Sequence, residues 1–192
     1  MHALIDFPLT TVAPQARFPG LYAAGVSDAD DPMHAGRVKV TVPAVFDQTS
    51  PDASVWARPC FPWGHVFIPE VGDKVWVAFE NGDPTAPVWL GQWYPADAMP
   101  AAAAVSPPVK RLIHSKSGHE ILLDDTPGAE KVVIHSKSAA QQIVLDETPG
   151  TEKVTISDKG GCSIELAATG ITIAAPGKPI VLKGASVDVQ AG

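Results

Sequence analysis

Three groupings of side chains in this sequence could do chemistry. Ser115, His119 and Asp124 bring a hydroxyl, an imidazole and a carboxylate into one short stretch, the types a nucleophilic triad uses. His114 and His135 hold equivalent places in two copies of a repeat, and three chains side by side would stack their imidazoles into rings fit for a metal. Asp124, Asp125 and Asp146 offer the hard oxygens that calcium takes. Each grouping lacks its surroundings. No nucleophile elbow or oxyanion glycine loop accompanies Ser115, and Ala140 or Gln141 replaces His119 in the next copy. His114 follows an inward-facing Ile113, so strand alternation turns it outward, and the third copy has Ser157 there. The aspartates show no Asp-X-Asp-X-Asp spacing and read as turn formers. No catalytic, metal or cofactor site is expected.

Two further residue types invite a binding role. Trp56, Trp63, Trp76, Trp89 and Trp93 could form a base-stacking platform on a small barrel. Arg37, Lys39, Arg58 and Lys74 are few and lie among acidic residues, and the chain's net charge is −7. Phosphate binding needs a basic face, so core packing and protein contacts explain the tryptophans better. Cys60, between Pro59 and Phe61, reads as a buried small hydrophobe. Cys60 and Cys162 fall in different segments, so no disulfide between them is expected and a reducing compartment fits.

The elements that position these residues are strands. The 192 residues include 16 Gly and 19 Pro, a composition suited to frequent turns rather than long helices. No window sustains helical apolar spacing, none approaches the ~18 apolar residues of a membrane span, and no signal peptide is expected. Residues 1–18 read as an N-terminal arm ordered by a partner. Strands are then predicted at Leu21–Val26, Arg37–Val42, Val55–Arg58, His65–Ile68, Asp73–Phe79 and Pro87–Tyr94. Asn81-Gly82 signals a tight hairpin, because both central positions favour positive φ. Five or six short strands between residues 19 and 95 fit a small barrel. Residues 96–110, Ala- and Pro-rich, read as a linker.

Beyond the linker, aromatic residues are absent and a repeat appears. Ile113-His114-Ser115-Lys116-Ser117 returns as Ile134-His135-Ser136-Lys137-Ser138, 21 residues on. Asp124-Asp125-Thr126-Pro127-Gly128 returns as Asp146-Glu147-Thr148-Pro149-Gly150, 22 residues on. A third copy starts at Val154-Thr155-Ile156-Ser157 and loosens. Thr126-Pro127-Gly128-Ala129 suits a type II turn. The pairs Ile121 and Leu123, Ile143 and Leu145, Ile164 and Leu166, Ile171 and Ile173, Ile180 and Leu182, and Val187 and Val189 each point one way. Such an array buries apolar faces only against neighbours. Three chains wound about one axis could pool these pairs, the first five of which form the expected trimer core.

The ordered segments resemble the spike proteins of contractile injection machines, the baseplate assembly protein V family and the C-terminal parts of type VI secretion spikes. The carrying residues are Gly36-Arg37-Val38-Lys39-Val40, Trp56-Ala57-Arg58-Pro59, Ile68–Val77, Phe79–Pro84, Pro87–Gly91, and Ser117–Ile121 with Leu123–Gly128. The resemblance implies an all-β chain with an N-terminal OB-fold at 19–95 and an intertwined trimeric β-helix, a β-prism rod, at 111–192. It implies a homotrimer whose OB domain meets a baseplate hub and whose rod, without enzymatic activity, pierces a target envelope. The chain would be made in the bacterial cytoplasm and built into a phage tail, a tailocin or a similar particle.

In some phage spikes a His-X-His motif near the C-terminus binds iron. No His lies beyond His135 here, so no metal is expected. Instead Val187, Asp188, Val189 and Gln190 would form a blunt end for a PAAR-type tip protein, added through open strand edges. The alternative reading is an OB-fold binding module for single-stranded nucleic acid or glycan on a β-solenoid stalk. A left-handed β-helix acyltransferase would need hexapeptide periodicity, which a unit of 21 to 22 residues does not supply.

Overall fold

The computed structural model describes residues 16–50, 53–96, 98–138 and 140–190. Most of the expected N-terminal arm, residues 1–15, lies outside the described residues. The chain divides into two units, residues 1–98 and 99–192.

In the first unit, β1 (Tyr22–Asp28), β2 (Val38–Thr41), β3 (Ser54–Pro59), β4 (Lys74–Phe79) and β5 (Pro87–Gln92) form a closed barrel. Its order is β1-β2-β3-β5-β4, and β4 returns to β1. All pairings are antiparallel except β3 with β5. This five-stranded closure is the OB arrangement. Strand alternation explains the packing: Val38, Val40, Val75 and Val77 are fully buried, while Lys39, Lys74 and Trp76 between them face out. Extra residues at Ser27 in β1 and Leu90 in β5 interrupt the register and bend the strands into the closed wall.

Several expectations fail here for local reasons. His65–Ile68 forms no strand; Pro62, Gly64 and Pro69 bracket the run, and closure of β3 onto β5 leaves it no edge to join. Cys60 is exposed rather than buried. Its N–H donates to the Trp89 carbonyl at 2.8 Å, and the chain leaves the barrel wall just beyond Pro59. Asn81 and Gly82 do have φ of 51° and 77°, yet they sit in a 3-10 turn, Glu80–Gly82. The β4–β5 loop is therefore longer than a two-residue hairpin and closes by Glu80 N–H to Ala86 O at 3.0 Å. Of the tryptophans, Trp89 is the one in the described core; Trp63 is fully exposed.

In the second unit seven strands of five residues follow one another as an antiparallel meander. They are β6 (Lys110–His114), β7 (Glu120–Asp124), β8 (Lys131–His135), β9 (Gln142–Asp146), β10 (Lys153–Ser157), β11 (Ser163–Ala167) and β12 (Gly170–Ala174). The repeat is thus two strands plus the two turns that join them. Its one-residue slip lies in the serine-rich turns. Ser115 N–H reaches His119 O, whereas Ser136 N–H reaches Gln141 O, one residue further on. Thr126-Pro127-Gly128-Ala129 closes by Ala129 N–H to Thr126 O at 2.9 Å with Gly128 at φ 77°, the type II turn its Pro and Gly favour. The third copy loosens because only Ala168 and Thr169 join β11 to β12.

Candidate functional site

The registers of the meander align its apolar residues into two rows on one face. One row is isoleucine throughout: Ile113, Ile121, Ile134, Ile143, Ile156, Ile164 and Ile173 lie opposite one another from β6 to β12. The second runs Leu123, Val132, Leu145, Val154, Leu166 and Ile171. β-branched cross-strand neighbours favour a pleated sheet, so the rows help set the register as well as the surface. The isoleucines remain between 38% and 54% exposed in the single chain. A contiguous apolar strip of this kind marks an interaction face.

The opposite face is mixed: Leu112, Leu122, Val133 and Val144 lie opposite one another across its middle, with Val133 buried, and Thr155 and Glu165 continue the row. Lys110, Asp124, Lys131, Asp146 and Lys153 form a ladder of alternating charge across β6 to β10. Lys110 Nζ stands 3.2 Å from Asp124, whose side chain is buried. The Thr126 hydroxyl donates to Asp124 Oδ1 at 2.5 Å. That bond first, and Lys110 after it, hold the Asp124 carboxyl below the usual carboxylate range despite its burial. Asp146 is likewise lowered, chiefly by the Thr148 side chain. Both aspartates cap their turns, accepting Thr126 N–H at 3.1 Å and Thr148 N–H at 2.9 Å.

The candidate chemical groups are scattered. Ser115 Oγ shares a hydrogen bond with Ser117 Oγ at 2.9 Å, while His119 Nδ1 accepts from Lys137 N–H at 3.2 Å. Asp124 belongs to the Thr126 turn and the Lys110 pair, at the far end of β7. His135 Nε2 stands 3.2 Å from Glu120 Oε1, and its Nδ1 2.9 Å from Ser136 O. Among the described residues no three His, Cys, Asp or Glu side chains are grouped to hold a metal ion. No helix among them is long and apolar enough to cross a membrane.

Of the ten residues expected in a shared core, Ile121, Leu123, Ile143, Leu145, Ile164, Leu166, Ile171 and Ile173 lie on the apolar face. Ile180 and Leu182 do not join it: they are exposed in a stretch without strands, as are Val187, Asp188, Val189 and Gln190. The expected set omits Ile113, at the edge strand, and Val132, Ile134, Val154 and Ile156. Antiparallel neighbours present the pair in reverse order, Val-X-Ile against Ile-X-Leu, and that reversal is the signal that identifies the last four.

Comparison with known proteins follows this division of the chain. Residues 22–94 match the family described as the type VI secretion system/phage-baseplate injector OB domain. Residues 131–192 match the phage baseplate V C-terminal trimerisation domain. The type VI secretion system spike protein VgrG1c of Pseudomonas aeruginosa is 35% identical over 118 residues, covering 53% of this chain and 16% of that protein. VgrG1a of the same organism is 35% identical over 118 residues, again 53% of this chain and 18% of its own length. VgrG3 of Vibrio cholerae is 31% identical over 113 residues, 53% of this chain and 11% of its own. The chain spans less than a fifth of the length of these relatives.

Proposed function

The chain belongs to the phage-baseplate and type VI secretion injector family, whose OB and trimerisation domains it carries, and on that premise we propose that it is the central spike of a contractile injection particle. Three copies lay their apolar faces together, so that the isoleucine row of each supplies one side of a dry seam along a β-helix over residues 111–192. The OB unit, residues 19–95, seats the trimer on a baseplate hub, and 96–110 links the two. The rod leads into the target envelope and acts mechanically, without catalysis. A small PAAR-type tip protein extends the blunt end at Val187, Asp188, Val189 and Gln190.

One observation carries this reading: thirteen apolar residues aligned in two rows on a face that one chain leaves open. Burial of such a strip releases roughly 25 cal/mol per Å² of apolar surface. Backbone pairing along the meander stiffens the rod, as force transmission demands.

The Ile164→Pro variant tests it. Ile164 pairs with both Ile156 and Ile173, and proline there removes a ladder donor from an interior strand. The trimer that survives unheated detergent is expected to vanish, together with cargo delivery by particles assembled with the variant. An unchanged trimer melt and wild-type delivery would refute the proposal.

A further inference from the structure

A groove of about 800 Å³ crosses the outer wall of the barrel, and the spike reading gives it no task. Its floor is β3, where Trp56 and Arg58 face away from the buried Ala57. Arg37, at the end of the β1–β2 loop, lines one side. Glu80 and Thr85 of the β4–β5 loop line the other. Barrels of this topology take oligonucleotides or oligosaccharides on this face, between these two loops. The volume lies within the range of small-molecule sites.

Charge decides between the two ligand classes. Arg37 Nη2 and Nε donate to Asp31 Oδ1 at 2.6 and 3.0 Å. Arg58 Nη2 donates to Glu80 Oε1. Each guanidinium in the groove is matched by a carboxylate, which leaves no uncompensated cation for a phosphate backbone. What remains is a neutral groove in which Met33, Pro59, Pro87 and Val88 lie beside the paired charges and Thr85. The Arg37 guanidinium lies 5.3 Å from the Trp56 ring centroid and holds the indole in place. The Arg58–Glu80 pair is half exposed and offers donors and acceptors together. A sugar ring has an apolar C–H face to lay against an indole. Its hydroxyls both donate and accept, which suits a guanidinium beside a carboxylate.

We propose that this groove binds a neutral oligosaccharide, with Trp56 as the packing wall and Arg58 and Glu80 as its hydrogen-bonding partners. The shared chemistry fits the N-acetylhexosamine strand of a cell wall or a neutral hexose polymer of a cell surface. Calorimetric titration of the full chain with an N-acetylglucosamine oligomer in one arm and glucose and mannose oligomers in the other separates the two sources. Saturable binding in one arm is expected, unchanged between about 50 and 200 mM salt. Trp56→Ala and Glu80→Gln should each weaken it about tenfold or more. Glu80 is exposed, so its variant keeps the test valid if Trp56→Ala fails to fold. Absence of saturable binding in both arms, or binding that neither substitution weakens, overturns the proposal. Binding of an oligothymidylate that falls steeply with salt would also overturn it and assign the groove to a polyanion.

Discussion

Replacing Ile143 by alanine separates a sealed seam from an open sheet. Ile143 sits in β9, the middle of the isoleucine row, opposite Ile134 and Ile156. In one chain its side chain is 38% exposed. If it stayed so, the substitution would cost about 1 kcal/mol, within the span of strand propensities. If two other copies cover it, Ile→Ala removes packed volume from a closed core, which costs roughly 2–5 kcal/mol. The change occurs three times in a trimer, all in one layer, so the assembly would lose on the order of 6–15 kcal/mol. Taken per chain of this size, about 2–5 kcal/mol corresponds to a melting-temperature drop of roughly 4–20 °C. The assay is thermal melting by circular dichroism at fixed protein concentration and scan rate. Thr155→Ala, on the other face between Val144 and Glu165, serves as the control. Equal small shifts for both variants would refute the reasoning, because they would show that the isoleucine face stays open.

Two other perturbations probe the scaffold. A Cβ at Gly118 would stand 2.8 Å from the Lys137 carbonyl oxygen at φ 95°, whereas one at Gly128, at φ 77°, would meet nothing within 4 Å. Gly118→Ala should cost about 2–3 kcal/mol and Gly128→Ala about 1 kcal/mol, read as denaturant midpoints; equal costs would show that the serine-rich turns yield freely. Asp31, buried in the β1–β2 loop, accepts Met33 N–H, Ala35 N–H and Arg37 N–H besides the Arg37 side chain. The Arg37 side chain, against burial and with those backbone donors, holds its carboxyl far below the usual range. A depressed carboxyl stabilises the fold fully above its unfolded pKa of about 3.9, and that contribution is lost as pH falls through the lower folded value. Asp31→Asn should therefore lower the denaturation midpoint at pH 7, by an amount that shrinks only at strongly acidic pH. A deficit already gone at pH 5 would contradict the ion-pair account.

The strands of the barrel were legible wherever a run alternates, as in Arg37–Val42 and Asp73–Phe79, because alternation is the direct trace of a wall with one wet side. The hairpins of the meander were legible from the repeat and from Thr-Pro-Gly, whose residues favour one turn. Other features depend on partners that sequence spacing does not show. His65–Ile68 has strand composition but no free edge. Asn81-Gly82 has the right backbone preferences in a loop of a different length. Asp31 reads as one of several acidic turn residues, and only the fold gathers the donors around it. Ile180, Leu182, Val187 and Val189 continue the apolar spacing, yet they lie beyond β12, where the meander of the described residues ends. The face itself was legible in eight of its thirteen residues, since Ile-X-Leu was recognised and its antiparallel complement, Val-X-Ile, was not.

The most direct test of the shared seam is the mass of the intact chain in solution, by light scattering coupled to size exclusion. The account predicts one species at three times 20.1 kDa, persisting in detergent until heated. A 20.1 kDa monomer at micromolar concentration would leave the isoleucine rows exposed to water and contradict it.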